Sequence, residues 1–597
     1  MTGGEPLTHL LIFPPVWVPI VPHLALPVLS SYLKSRGCKV AYLDANVEFF
    51  TDYLLSPATL SGLLERVEKF LRENDAPPGP LKRARDKLET WETEVRKVDD
   101  HKAVLRDEKL FFDPDRAVRA VQGLHDLLEM ASLAYWPGRI SFNSYRRGDI
   151  WEEKDLLDVC QNEGKNIFLP FFRERILPKI VALRPRSVGI SISTVHQFIA
   201  SMTLARLLRK TLPDVHVVVG GKHLLRIEKK ILGHGFYFRD YFHSAVLHEG
   251  ELPLFRILES LAGGRDVRGI PGVITWGKDG AEYVPPDPPL PLEDLPSPDF
   301  SEIQWEKYLV PRPYAPMRMS RGCYWGKCTF CIRQGSERFE TLSHHRVIME
   351  MEALGSAYRV KDFTVNDDCM PPEYWELLAD GIIERGLEVS MLIWAKPVSG
   401  FTRQRLRKMA KAGVRQIRWG VESAHPRVLK LMRKGTRLDT MEEVLREARE
   451  AGIWNHCCFI LGFPTETQRE ALRTISFIES QKDTIHSFIL YPFVLYEDTH
   501  IFRHPEEFSI TSVTRKETPF FDLMEYHSSK GMSPKEVASF TQKAKARLLG
   551  PGPKPFWYHI KLREYLQLYL DRFGLEAVRE MTFNRDGLDL SWEGIDG

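Results

Sequence analysis

Three cysteines fall within nine residues, in Met319-Ser-Arg-Gly-Cys323-Tyr-Trp-Gly-Lys-Cys328-Thr-Phe-Cys331. Three thiolates on one short turn can hold a soft metal ion or one face of an iron–sulfur cluster. Gly322 and Gly326 let the backbone fold tightly around such a group. A zinc knuckle needs a fourth ligand close by. Cys369 lies 38 residues beyond Cys331, and no histidine follows until His344. Three buried structural thiols would need neither the two glycines nor this spacing. A cluster with three protein sulfurs leaves one iron open to a small-molecule ligand.

Such a loop needs a scaffold that presents it at one edge. A strand candidate, Pro316–Ser320, leads into it, and others follow at Asp362–Asn366, Val389–Ala395, Gln416–Val421, His456–Leu461 and Ser487–Pro492. Helical stretches separate them, the pattern of a parallel barrel or partial barrel, where chemistry sits at the C-terminal ends of strands. Upstream, Leu10–Phe13, a proline-rich loop, a helix over about His23–Ser35 and the strand Lys39–Leu43 read as a parallel α/β unit. Residues 55–135 are charged and helical in period. Strand runs return at Ser187–Ser193, His216–Val219 and Ser244–Leu247. Val284–Phe300 holds seven prolines, which cannot donate to a sheet and favour extended backbone, so it reads as a linker.

The 597 residues exceed what one core usually organises, so two or three domains are expected. A net charge of +2 gives no global basic field for nucleic acid or a membrane surface. The eight cysteines do not form a secreted disulfide pattern and fit a reducing cytoplasm. The N-terminus lacks signal-peptide order, and no apolar run is long enough to span a membrane.

Taken together, the cysteine segment resembles the radical SAM superfamily, in which the open iron binds the amino and carboxylate groups of S-adenosylmethionine (SAM). Phe330 matches the aromatic that precedes the third cysteine. The chain has four residues between the first two cysteines where three are commonest. Other segments follow in family order. Asp362–Asp368 resembles the second-strand segment near substrate. Gly420-Val-Glu422-Ser423 resembles the segment that contacts the ribose and methionine of SAM, and its carboxylate can accept from hydroxyls or an ammonium. Phe459–Thr467, with Gly462 and Glu466, resembles the fifth-strand motif beside adenine. Lys396, ending the third strand, is a candidate for the SAM carboxylate. By itself GVES also reads as a strand end with a helix cap, and His456, Cys457 and Cys458 read as wall residues.

The N-terminal half resembles cobalamin-binding domains. Ser191-Ile-Ser193 followed by Gly220-Gly221 matches the family's SxL…GG arrangement, with Ser193 in the leucine's place. Glu249-Gly250-Glu251 and Pro14-Pro15-Val-Trp17 with Leu26-Pro27 match further segments. Gly220 and Gly221 end an apolar strand, where a ligand crevice is expected in open α/β sheets. No G-x-G-x-x-G follows the first strand. The DxHxxG motif that ligates cobalt elsewhere is absent, which leaves His23, His196 and His223 as nearby histidines to consider.

The resemblance implies an α/β protein. A doubly wound, Rossmann- or flavodoxin-like cobalamin-binding domain covers 1–283, with a helical insertion at about 55–180. A proline-rich linker (284–305), a partial (β/α)6 TIM-type radical SAM core (306–510) and a helical C-terminal region (511–597) follow. It implies a [4Fe–4S] cluster, SAM, cobalamin and an external one-electron donor. The implied reaction is methyl transfer from SAM through methylcobalamin to a carbon of a natural-product or peptide substrate. Ring formation or rearrangement is the alternative, and a non-enzymatic cobalamin or SAM sensor is a third. A methylthiotransferase is excluded, since only Cys38 and Cys160 lie upstream. Substrate contacts are expected near Asn366, Asp367, Asp368, Tyr491 and Tyr496, between the two halves. The two aspartates equally read as caps of the next helix, and the Phe556-Trp557-Tyr558 run as packing.

Overall fold

The computed structural model describes residues 9–73, 85–332, 338–365 and 367–583. It divides into two compact units, Met1–Arg312 with Glu517–Asp522, and Pro313–Lys516 with Leu523–Gly597. No helix among the described residues is long and apolar enough to cross a membrane.

The first unit is a seven-stranded sheet. Its strands are β1 (His9–Phe13), β2 (Val40–Asp44), β3 (Ser187–Ser191), β4 (His216–Gly220), β5 (Ser244–Val246), β6 (Val273–Gly277) and β7 (Gly280–Tyr283). The spatial order is β2-β1-β3-β4-β5-β6-β7. The first five pair in parallel and the last two add an antiparallel edge. Every residue of β1 and β3 is buried, as in a parallel sheet covered on both faces, with His9 and Ser187 bonded to each other at 2.7 Å. Strand order reverses between β1 and β3, so their C-terminal ends flank a crevice. The expected helical insertion is present, with Pro57–Glu73, Leu88–Arg106 and Pro114–Ala134 packed on one another.

The proline-rich segment is packed along the first unit. Leu292, Leu295 and Phe300 are buried. Lys34 pairs with Asp299 and Glu302 at 2.8 Å each, and the Tyr42 N–H donates to Glu302 at 2.7 Å. Prolines remove sheet donors here, but the leucines between them still bury their side chains.

The second unit is built on six parallel strands: β8 (Tyr314–Met317), β9 (Asp362–Val365), β10 (Ser390–Ala395), β11 (Val414–Glu422), β12 (Trp454–Leu461) and β13 (Ser487–Pro492). Their spatial order follows the chain, with a helix in every crossover, which is the partial (β/α)6 barrel expected. Ile417, Trp419 and Val421 point to one buried face; Gln416, Arg418 and Gly420 share the other. The helix Arg563–Phe573 packs on that second face, where Gln567 donates to Ser390 Oγ at 2.9 Å and accepts from the Tyr314 hydroxyl.

The C-terminal region is not helical throughout. It opens with a hairpin, β14 (Ile510–Glu517) and β15 (Asp522–Ser528), before the four helices that the described residues form from Pro534 onward. The β-branched run Ile510-Thr-Ser-Val-Thr514 is the strand signal that a helical reading passes over.

Candidate functional site

The cysteine loop leaves β8 and is fastened at many points. Asp367 accepts from the Met319 N–H at 2.9 Å and the Ser320 N–H at 3.1 Å. The Tyr324 N–H donates to the Cys369 carbonyl at 3.2 Å, and the Trp325 indole N–H to the Arg433 carbonyl at 2.9 Å. Thr329 bonds the carbonyls of Leu431 and Met432, both at 3.0 Å. Gly322 and Gly326 have φ of +76° and +56°, the left-handed turns the sequence anticipates. Phe330 packs into a core with Met432, Phe463 and Leu495. These anchors leave Cys323, Cys328 and Cys331 half-buried on one loop.

The three sulfurs do not all lie within 4.8 Å of one another. Tetrahedral zinc, with Zn–S of about 2.3 Å, would hold them about 3.8 Å apart. Three thiols on one loop are the donor set of an iron–sulfur cluster with one open corner. The Cys369 thiol, beside Cys323, helps bring that thiol down to about 6, together with the N–H groups of Gly326 and Trp325 and against burial. Burial pushes Cys328 up to about 11.

Charged groups gather beside this loop. Lys396 is buried, its ammonium 3.2 Å from the centroid of the Trp325 ring, and it donates to the Lys434 carbonyl at 3.1 Å. Burial lowers it to about 8, with Lys434 adding to the effect. Lys434 makes a buried ion pair with Glu422 at 2.8 Å. Burial opposes its charge, yet Glu422 and nearby thiolates hold its pKa above the ordinary lysine value. Glu422 has φ of +67° where the β11 register shifts, which turns its carboxylate over Gly420. A Cβ on Gly420 would come within 2.7 Å of that carboxylate and 2.8 Å of the Lys434 ammonium. Sequence reasoning finds Lys396, Gly420 and Glu422 but misses Lys434 and Trp325. Neither carries a local signal; Gly435, φ +68°, on which the Trp325 ring rests, is the one trace.

Other expected contacts are turned elsewhere. The Ser423 hydroxyl is fully buried and accepts from the His425 N–H at 3.1 Å, closing the turn after β11. Glu466 is also fully buried and accepts from the Gly462 N–H at 2.6 Å, bracing its own loop. A Cβ on Gly462, φ +73°, would sit 2.1 Å from Val537, so that glycine serves close packing as well. Asp367 does not cap the next helix: both oxygens bond the cysteine loop's backbone, and burial raises it to about 7. Asp368 is exposed, and Tyr491 and Tyr496 are half-buried at the exit of β13. Asn366 lies outside the described residues. Phe556 is buried against Tyr569, and Trp557 meets Phe488 edge-on, so that run packs.

In the first unit the loops after β1, β3 and β4 are tied together. Gln197, fully buried, accepts from the Ser193 N–H at 2.9 Å and donates to the Pro14 carbonyl at 2.8 Å. Pro15 is buried, and Trp17 is half-buried with its N–H on Asn46 at 2.7 Å. Ser191 pairs with Gly220 across β3 and β4. Gly221 has φ of +110°, and a Cβ there would lie 2.5 Å from the Ile192 carbonyl oxygen; at Gly220 the nearest atom would be 3.8 Å away. Gly221 is required by the backbone, whereas a methyl group at Gly220 would meet Val246 at an ordinary contact distance. Glu249 and Gly250 lead into the helix Glu251–Ala262, which Glu251 opens.

The histidines there have structural posts. His23 stacks on Phe13 at 4.3 Å, accepts from the Ala25 N–H through Nδ1 and meets Ser193 Oγ at 3.1 Å through Nε2. Burial lowers it to about 4, so it is neutral. His223 Nε2 donates to the Phe520 carbonyl at 2.9 Å, and His196 Nδ1 meets the Tyr145 carbonyl at 3.3 Å.

Residues 317–478 match the model of the Radical SAM superfamily, a span that begins with the cysteine loop and contains Lys396, Glu422, Lys434 and Gly462. This segment is a radical SAM domain. Two curated relatives match about half of the chain. One is an uncharacterised methyltransferase of Pyrococcus horikoshii, 28% identical over 49% of this chain and 64% of its own length. The other is the anaerobic magnesium-protoporphyrin IX monomethyl ester cyclase of Rubrivivax gelatinosus, 25% identical over 49% of this chain and 54% of its own. The chain thus spans less than two thirds of either relative. Among solved structures, the radical SAM methyltransferase TsrM of Kitasatospora setae, determined with tryptophan and a SAM analogue, has the same fold. The TM-score is 0.54 at 15% identity, covering 91% of this chain and 89% of that one. Along the chain the radical SAM domain follows a doubly wound α/β unit.

Proposed function

We propose that this chain is a cobalamin-dependent radical SAM methyltransferase acting on a small-molecule or peptide substrate in a reducing cytoplasm, with an external one-electron donor. The observation that carries the reading is the three-cysteine loop set beside Lys396 and the buried Lys434–Glu422 pair. When bound, the cluster supplies the electron that cleaves SAM, and cobalamin supplies the methyl carrier.

The chain's own residues prepare for both. Cys323, Cys328 and Cys331 would hold the cluster. Lys396 and Lys434 place two cations where thiolates and an amino-acid carboxylate bring negative charge. The Glu422 oxygen not engaged by Lys434 can accept from a ribose hydroxyl or an ammonium. Gly420 lets that group approach the strand end, and Trp325 shields the loop from water. Ser423, Glu466 and Asp367 act as braces behind these groups. For cobalamin, Pro15, Trp17, Ser191, Ser193, Gly220, Gly221, Glu249, Gly250 and Glu251 would line the crevice near the strand-order reversal.

Anaerobic reconstitution with iron, sulfide, cobalamin and SAM, followed by mass spectrometry, tests the proposal. 5′-Deoxyadenosine and S-adenosylhomocysteine together support radical methylation. S-adenosylhomocysteine alone indicates polar transfer. 5′-Deoxyadenosine alone indicates the ring-forming reading, which the cyclase relative favours. Protein that takes up no iron sinks both.

A further inference from the structure

The strands of the second unit have two unlike faces. On one, Ile393, Trp419, Val421, Cys457, Phe459 and Leu461 are shut off from solvent. On the other, Trp394, Gly420, His456, Ile460, Ile489 and Tyr491 keep partial solvent contact. A strand face that is lined by large side chains and still wet borders a hollow. Arg418 stands on this face, level with Trp394 and His456 across the sheet.

Arg418 is only 8% exposed. Its guanidinium lies on Trp394, 3.9 Å from the ring centroid, and one terminal nitrogen is 3.9 Å from Cys458 Sγ. Its Nε has no partner. Among the described residues no carboxylate lies within ion-pair distance of it. A second cation, Arg563, sits 5.5 Å from the same ring, but pairs with Glu564 at 2.8 Å. His456 adds no countercharge: burial keeps it neutral, and its Nδ1 meets Ser487 Oγ at 2.8 Å. Two guanidinium groups and one carboxylate leave one positive charge unbalanced. A buried, unpaired arginine is costly unless an anion joins it.

SAM's own carboxylate is not the natural occupant. Lys396 and Lys434 already serve the strand ends, while Arg418 lies two residues, about 6–7 Å, further down β11 than Gly420. We propose that the hollow is the substrate pocket and that Arg418 binds an oxyanion of the substrate, a carboxylate or a phosphonate, whose apolar body lies toward Ile460, Ile489 and Tyr491. The planar fork of arginine suits either oxyanion. This deepens the enzymatic reading above and rests on it for the word substrate.

Titration calorimetry on the reconstituted full-length protein tests it, with phenylacetate, phenylphosphonate and neutral phenylacetamide as probes. Wild type should bind at least one anion about tenfold or more tighter than the amide. Arg418→Gln should abolish that preference and leave the amide unchanged; Arg418→Lys, which keeps charge but loses the fork, should retain part of it. Which anion binds tighter tells carboxylate from phosphonate. Equal binding of anion and amide by wild type, or no binding of any probe at millimolar concentration, overturns the proposal even if the variants do not fold. So does a glutamine variant that keeps the preference, or one that loses S-adenosylhomocysteine affinity instead. Iron content of the same samples reports separately on the cluster. Anion preference without iron would topple the radical SAM reading and leave this pocket standing.

Discussion

At the strand ends of the radical SAM domain the buried groups are charged: Lys396, Lys434 and Glu422 lie within a few ångströms of one another and of the cysteine loop. At the strand ends of the first unit, small and aromatic residues and neutral histidines line the crevice, and the carboxylates Glu249 and Glu251 stand at a helix start. The first arrangement is electrostatic, two lysines set against one carboxylate. The second is a matter of space and backbone, in which Gln197 ties loops together and glycines decide what may approach. A charged site should therefore fail through unpaired charge, and a shaped site through lost room.

The largest expected effect is on the cysteine loop. Cys328→Ala should drop iron content to background and 5′-deoxyadenosine formation by about a thousandfold or more, roughly 4 kcal/mol of barrier. Iron analysis and product quantitation check both. Next comes the charged pair. Lys434→Met leaves Glu422 buried without its partner and should cost about 3–5 kcal/mol of stability. Adding Glu422→Leu should return most of that stability in urea titrations while SAM cleavage stays lost. If the double variant is no more stable than the single one, the electrostatic account of this region breaks.

The shaped region offers two adjacent glycines as a sharper comparison. Gly221→Ala meets the Ile192 carbonyl and needs φ of +110°, so it should cost about 2–4 kcal/mol before any cobalamin is added. Gly220→Ala has room and should change stability by no more than about 0.5 kcal/mol, yet weaken hydroxocobalamin binding in an absorbance titration. Equal cobalamin affinity in the Gly220 variant would mean that the small residue there serves something else.

The smallest effect concerns Glu466. Burial raises its carboxyl from 4.5 to about 8. The folded protein then keeps a proton that the unfolded chain releases, so this contribution to stability is full below about pH 4.5 and fades as pH rises toward 8. Glu466→Gln should flatten that decline in urea midpoints measured across this interval. An unchanged slope would show that the loop does not hold the acid neutral.

The hairpin Ile510–Ser528 and the packed proline-rich segment show where local reading stops. The hairpin carries β-branched residues that compete with helical neighbours, and the prolines forbid sheet donation without forbidding burial. The direction of Ser423 and Glu466 shows a subtler limit. Their motif positions were legible, but the turns after β11 and β12 rotate both side chains into the fold.

The chain's order of residues determined which atoms are available: three thiols on a glycine-flanked turn, six alternating strands to carry it, and glycines at the strand ends. Only the folded structure decided which charges meet. Lys434 reaches Glu422 because a register shift turns that carboxylate over Gly420, and Arg418 has no carboxylate partner among the described residues because the neighbouring strands bring an indole, an imidazole and a thiol to it instead. Those encounters depend on strand register and turn geometry, which many distant contacts set together, so no local stretch of sequence contains them.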